Sequence, residues 1–158
     1  MDTVKKIGTF LLFIAVPLVI GATASFATAS SVSTWYVTLE KPFFSPPNWV
    51  FGPVWTILYI LMGVSSYIVY KAPHSGSRRL GLDVYAIMLF LNFLWSFLFF
   101  GFQMPGLAFI EIIVLWFFIL SMIVFFYRVK PIAGLLQLPY LVWVTFATAL
   151  NGAIWWLN

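Results

Sequence analysis

The chain has 158 residues, 63% of them apolar and only 8% charged, with a mean hydropathy of +1.05. Soluble domains carry about 25% charged residues, so these side chains cannot coat a globule. An aromatic content of 21% also excludes a solvated disordered chain, which leaves an integral membrane protein. Cysteine is absent, excluding disulfides, iron–sulfur clusters, thiolate metal sites and cysteine nucleophiles. The single histidine, His74, cannot build a histidine metal cluster. The formal charge of +4 matters through its placement, and no nucleic-acid partner is expected.

The charged residues leave uncharged tracts at 7–39, 42–70, 84–110, 112–127 and 131–158. A membrane-crossing helix needs about 20 mostly apolar residues. Five are therefore predicted, near 7–28, 49–70, 83–101, 106–127 and 134–157. Barrel strands would alternate polar and apolar positions, and runs such as IIVLWFFILSMIVFF do not. The fold class is an all-α, single-domain bundle of five transmembrane helices.

In the first segment, Lys5 and Lys6, an apolar run and Ala27-Thr28-Ala29 have the outline of a cleavable secretory signal. The apolar stretch from Ile7 is long for a signal core, so a retained helix is expected. Its small residues Gly21, Ala22, Ala24, Ser25 and Ala27 allow close helix packing or leave room for a ligand. The 29–48 connection, with SSVSTWYVTLEKPFFSPPN, is long and rich in Pro and aromatics. Long loops tend to be functional or disordered, and Trp35, Tyr36, Phe43 and Phe44 argue against disorder. The expectation is a cap folded over the outer mouth of the bundle.

Further along, Phe51, Trp55, Tyr59 and Met62 share one face of the second helix. The loop APHSGSRR places His74 in solvent, and Asp83 is positioned to pair with Arg78 or Arg79. Asn92 lies mid-span, with Trp95 and Phe99 following on its face. Glu111 is the one carboxylate clearly inside a span. Intramembrane acids are functional candidates by default, although a residue near the interface can also reach water or Lys41. In the last helix Trp143, Ala147, Leu150 and Asn151 share a face, and Pro17 and Pro139 predict bends. Aromatic stripes are commonly helix packing, but a buried indole N–H or amide needs a partner that a ligand can supply.

Lys5, Lys6, Lys71, Arg78, Arg79, Arg128 and Lys130 fall on one side of a five-span topology, against Lys41 on the other. The positive-inside rule then predicts a cytoplasmic N-terminus, with the 29–48 loop and the C-terminus outside. No mid-span Lys, carboxylate chain or Arg-rich helix is present to form a Schiff base, a proton relay or a voltage sensor. Chemistry here would have to run through aromatic side chains or the ligand itself. The absence of an internal repeat weighs against an inverted-repeat transporter.

Several blocks together resemble the TspO/MBR family, the tryptophan-rich sensory proteins whose mitochondrial members are the translocator protein or peripheral-type benzodiazepine receptor. They are Trp35-Tyr36, Lys41-Pro42, Pro46-Pro47-Asn48-Trp49-Val50-Phe51, Pro53-Val54-Trp55-Thr56 and Tyr59. The likeness continues through Leu91-Asn92, Trp95, Phe99-Phe100-Gly101, Pro139-Tyr140-Leu141-Val142-Trp143, Phe146-Ala147-Thr148 and Leu150-Asn151.

This resemblance implies a commonly dimeric five-helix bundle with a pocket capped by the first loop, and a retained first helix. It implies binding of porphyrins such as protoporphyrin IX and haem, of PK11195 and benzodiazepine-type compounds, and of cholesterol in animal members. By position, the pocket would draw on Ser25, Phe51, Trp55, Asn92, Trp95, Trp143, Ala147 and Leu150, with Trp35 and Tyr36 from the cap. Light-dependent porphyrin breakdown in some bacterial relatives would map to Trp55 and Trp143. No obligatory cofactor or metal is implied; the tetrapyrrole is a ligand. The segment Leu150-Asn151-Gly152-Ala153-Ile154-Trp155-Trp156-Leu157-Asn158 lacks the Tyr and Arg of the animal sterol motif, which argues against sterol binding and points to a bacterial-type member. Some relatives sit in outer membranes, but the charge bias predicts a cytoplasmic membrane. The expected function is a tetrapyrrole receptor or sensor; a transporter of porphyrins or other amphipaths is the alternative.

Overall fold

The computed structural model describes residues 2–158. Five of its helical stretches are long and apolar enough to cross a membrane. Helix α1 spans Thr3–Thr34, well past the predicted end at 28. The Ser33 and Thr34 hydroxyls donate to the Ser30 carbonyl at 3.0 and 2.7 Å, so polar residues that suggested a loop satisfy themselves inside the helix. A 3₁₀ turn follows at Tyr36–Thr38, and another at Asn48–Val50 leads into α2. The expected long cap therefore shrinks to the stretch 39–47. That stretch is tied to the end of the chain: Glu40 N donates to Asn158 Oδ1 at 3.0 Å, and Asn158 Nδ2 donates to the Glu40 carbonyl at 2.9 Å.

Helix α2 covers Phe51–Lys71, with Pro53 in its first turn, where a missing N–H costs little. Helix α3, Gly76–Ser96, starts a full turn and more before the predicted 83. Its N-cap Ser75 accepts from Arg78 N at 3.1 Å, so the basic residues treated as loop sit in a capped first turn. Arg78 does not pair with Asp83; it donates to the Tyr70 carbonyl at 2.8 Å and meets His74 Nδ1 at 3.1 Å. A π-helical segment, Phe97–Gly101, ends this span. Gln103 (φ 55°) makes the turn into α4, Pro105–Val129. The predicted fifth span is broken into α5, Pro131–Leu135, and α6, Leu138–Leu157. Pro139 consequently lies in the first turn of α6 instead of bending a helix interior. Pro17 is accommodated within an unbroken α1.

The helices alternate in direction, which gathers the basic residues at one end of the bundle. Close neighbours are α3 with α4, α1 with α2, and α4 with α6. Met62, Met88, Ile119, Met122, Phe126 and Val144 fill the centre without exposure. Association inside a bilayer rests on such packing, because lipid tails are as apolar as the core. Gly63 lets α1 cross α2 closely: a Cβ there would lie 2.6 Å from Ile14 Cα and 2.7 Å from the Phe13 carbonyl oxygen. One helical step outward, Gly21 lies bare against the Tyr59 ring. These two contacts fix the α1–α2 register.

Candidate functional site

Beyond that crossing, towards the end with few charges, the helices part around a cavity of about 660 Å³. Helices α1, α2, α3 and α6 all contribute walls. Trp55 in α2 stacks on Tyr59 (5.6 Å, 27°) and meets Trp143 of α6 nearly at right angles, with centroids 6.5 Å apart. Phe51 adds an edge contact to Trp143 at 5.9 Å. On the opposite wall Trp95 stacks on Phe99 at 5.3 Å. Edge-to-face and offset pairs of this kind are favoured by the ring quadrupole, so the aromatic lining is held in place before any ligand arrives.

The floor is a chain of polar contacts. The Tyr59 hydroxyl donates to Asn92 Oδ1 at 3.0 Å, and Asn92 Nδ2 donates to the Tyr140 hydroxyl at 2.6 Å. The Tyr140 hydroxyl in turn donates to Met88 Sδ at 3.2 Å. Asn92 thus braces α2, α3 and α6 with a side chain already engaged by protein. Trp95 is similar: its Nε1 donates to Asn151 Oδ1 at 3.0 Å, and Asn151 Nδ2 donates to the Pro105 carbonyl at 2.9 Å. Trp143 differs, since its Nε1 is buried with no partner. The Thr28 and Thr56 hydroxyls donate back to Ala24 and Gly52 carbonyls at 2.8 Å, leaving only lone pairs for the cavity.

Of the residues expected at the site, Ser25, Tyr36, Phe51, Trp55 and Asn92 line the cavity, as do Trp95, Trp143, Ala147 and Leu150. Trp35 does not; its ring lies edge-on to Phe99 at 5.8 Å, behind the wall. The 39–47 stretch also contributes nothing to the lining. Lining residues outside the expected set include Gly21, Thr28, Gly52 and Phe100. The signal for the α1 members was present in the helical spacing of its small residues.

Glu111 is buried in α4 away from the cavity, and neither carboxyl oxygen has a partner. Neither alternative offered for it from sequence holds: it is not at a wet edge, and Lys41 instead donates to the Leu39 carbonyl at 3.2 Å, over the Tyr36 ring. Among the described residues, no three His, Asp or Glu side chains gather to hold a metal ion.

These features define a multi-pass membrane protein with a tryptophan-walled cavity between its helices. The TspO/MBR family profile matches residues 13–157. Similar proteins include the "Tryptophan-rich protein TspO" of Archaeoglobus fulgidus, 46% identical over 100% of this chain and 99% of its own length. The "Tryptophan-rich sensory protein" of Cereibacter sphaeroides is 37% identical over 90% of this chain and 86% of its own. The human "Translocator protein" is 38% identical over 77% of this chain and 73% of its own. The chain belongs to the TspO/MBR family.

Proposed function

We propose that the protein is a membrane receptor or sensor that binds tetrapyrroles such as protoporphyrin IX or haem, and PK11195-type compounds, in this cavity. The observation that carries the reading is the convergence of Trp55, Trp95 and Trp143, from three different helices, on one cavity. A void of about 660 Å³ lies in the range of small-molecule sites, roughly 300–1,000 Å³. Face contact with indoles contributes about 0.5–1.5 kcal/mol each beyond simple burial, which suits a flat aromatic macrocycle. The partnerless Trp143 N–H supplies a donor for an acceptor on the ligand's edge. Sensing and translocation appear in the names of relatives, and both presuppose a bound molecule.

In this reading Trp55 and Trp143 are also the residues beside which a bound, light-excited porphyrin would be broken down, with dissolved dioxygen as the oxidant. The protein works as a homodimer, with its basic end in the cytoplasm. Fluorescence titration of protoporphyrin IX into proteoliposomes, in the dark and under illumination, tests the proposal. Saturable binding that weakens in the Trp55→Phe/Trp143→Phe double variant is expected. Unchanged binding and photolysis in that variant would remove both residues from the mechanism. Accelerated counterflow of porphyrin across the vesicle membrane would move the assignment to a transporter.

A further inference from the structure

The cavity wall is unevenly covered. Its lining residues from α3 and α6 are all buried or half-buried, whereas every exposed lining residue belongs to α1, α2 or the turn entering α2. Those exposed residues form two facing edges. Outward from the antiparallel crossing that sets Ile14 on Gly63 and Gly21 on Tyr59, Ser25, Ala29 and Ser33 run along one edge and Thr56, Gly52 and Asn48 along the other. All six are small or neutral, and none carries a charge. Just outside the edges stand Phe26 of α1, 90% exposed, and Ile57 of α2, 58% exposed. Apolar side chains this exposed suit a lipid surface better than water.

We infer that the cavity is loaded sideways from the bilayer, through a slot between the outer halves of α1 and α2. The inference rests on the tetrapyrrole-receptor reading and names the form in which the ligand arrives: a membrane-dissolved amphipath, not an aqueous solute. The alternative path, from water at the outer end, passes the 39–47 stretch, which is held by Asn158 and by a Phe44–Phe146 edge contact at 6.1 Å. The slot has no comparable tie. Its Thr56 hydroxyl is bonded to its own helix, and a Cβ at Gly52 would meet nothing within 4 Å. An amphipath sliding between these edges breaks no hydrogen bond between helices.

Because the chain has no cysteine, the slot can be stapled specifically. In Ala29→Cys/Gly52→Cys, a bifunctional methanethiosulfonate reagent joins the two edges and a reductant releases them. A Phe44→Cys/Phe146→Cys staple closes the outer end as a control. Protoporphyrin IX is supplied in acceptor-free liposomes that are fused with the proteoliposomes, and its capture is followed by tryptophan quenching. The slot staple should slow capture about tenfold relative to the same variant after reduction, which restores the rate. The outer staple should leave the rate as in the unstapled protein. Slowing by the outer staple, or no slowing by the slot staple, would overturn lateral loading. Failure of the unstapled protein to bind porphyrin would instead overturn the receptor reading. The slot then answers separately to phospholipids with brominated acyl chains: the fluorescence lost in Trp55→Phe should be quenched by them in the open protein and protected in the stapled one. Equal quenching in both would overturn the slot.

Discussion

Trp95 and Asn151 couple α3 to α6 through one hydrogen bond of 3.0 Å, and Asn151 extends it to the start of α4. Trp143, on the facing wall, has no such duty. The two tryptophans should therefore respond oppositely to the same change. Trp95→Phe strands the Asn151 carbonyl oxygen and should cost about 1–2 kcal/mol, visible as a lower midpoint in thermal unfolding in detergent. Trp143→Phe should leave that midpoint in place and weaken porphyrin binding. A stability loss from both would mean that Trp143 Nε1 is bonded after all.

Asn92→Leu should destabilise the bundle by about 1–3 kcal/mol, since the Tyr59 hydroxyl loses its acceptor inside the membrane. The Tyr140 hydroxyl keeps Met88 Sδ as acceptor at 3.2 Å, so adding Tyr59→Phe should recover much of the loss. Double-mutant unfolding measurements would read this coupling, and additive losses would contradict it.

Two glycines of α2 should behave differently on substitution by alanine. At Gly63 the methyl group would press on the backbone of Phe13 and Ile14, which cannot rotate away. Overpacking of this kind costs about 1–3 kcal/mol. Gly52→Ala meets open space and should gain a fraction of the roughly 0.5–1 kcal/mol by which alanine exceeds glycine in helices. Equilibrium unfolding in mixed micelles would rank the two.

Glu111→Leu should stabilise the protein. Its carboxyl group is buried without a partner, and an unmatched buried polar group costs about 1–3 kcal/mol on mutational scales. Leucine fits the surroundings of Ala108, Ile112 and Leu115 on the same buried face. A higher unfolding midpoint with undiminished porphyrin binding is expected. Loss of binding would make Glu111 part of the site at a distance.

Helix number and the aromatic walls were readable because both depend on composition and on spacing within one helix. Periodicity alone puts Trp55, Trp95 and Trp143 each on a one-face stripe, which is equally the mark of helix packing; their place at a pocket is implied by the resemblance to the TspO/MBR family. Helix ends were less legible: Ser33 and Thr34 read as loop residues until their hydroxyls found the Ser30 carbonyl. Arg78 and Arg79 marked the limit of an apolar run but not of a helix, because Ser75 caps the turn that carries them. Trp35 and Asn92 illustrate a second limit. Whether a side chain borders a void or props up a neighbour depends on the register between helices, as with Phe99 behind Trp35 and Tyr140 beside Asn92. No spacing within a single segment encodes that register.

The bare backbone at Gly21 has one more consequence. The phenol of Tyr59 occupies the place where a side chain at 21 would go, and its far end is moored to Asn92. Even a single added methyl would evict the ring towards the void and slip that mooring. Position 21 is thus a built-in plug point: enlarging it fills the chamber from within, and the vacancy a guest molecule would use exists because one carbon atom is missing.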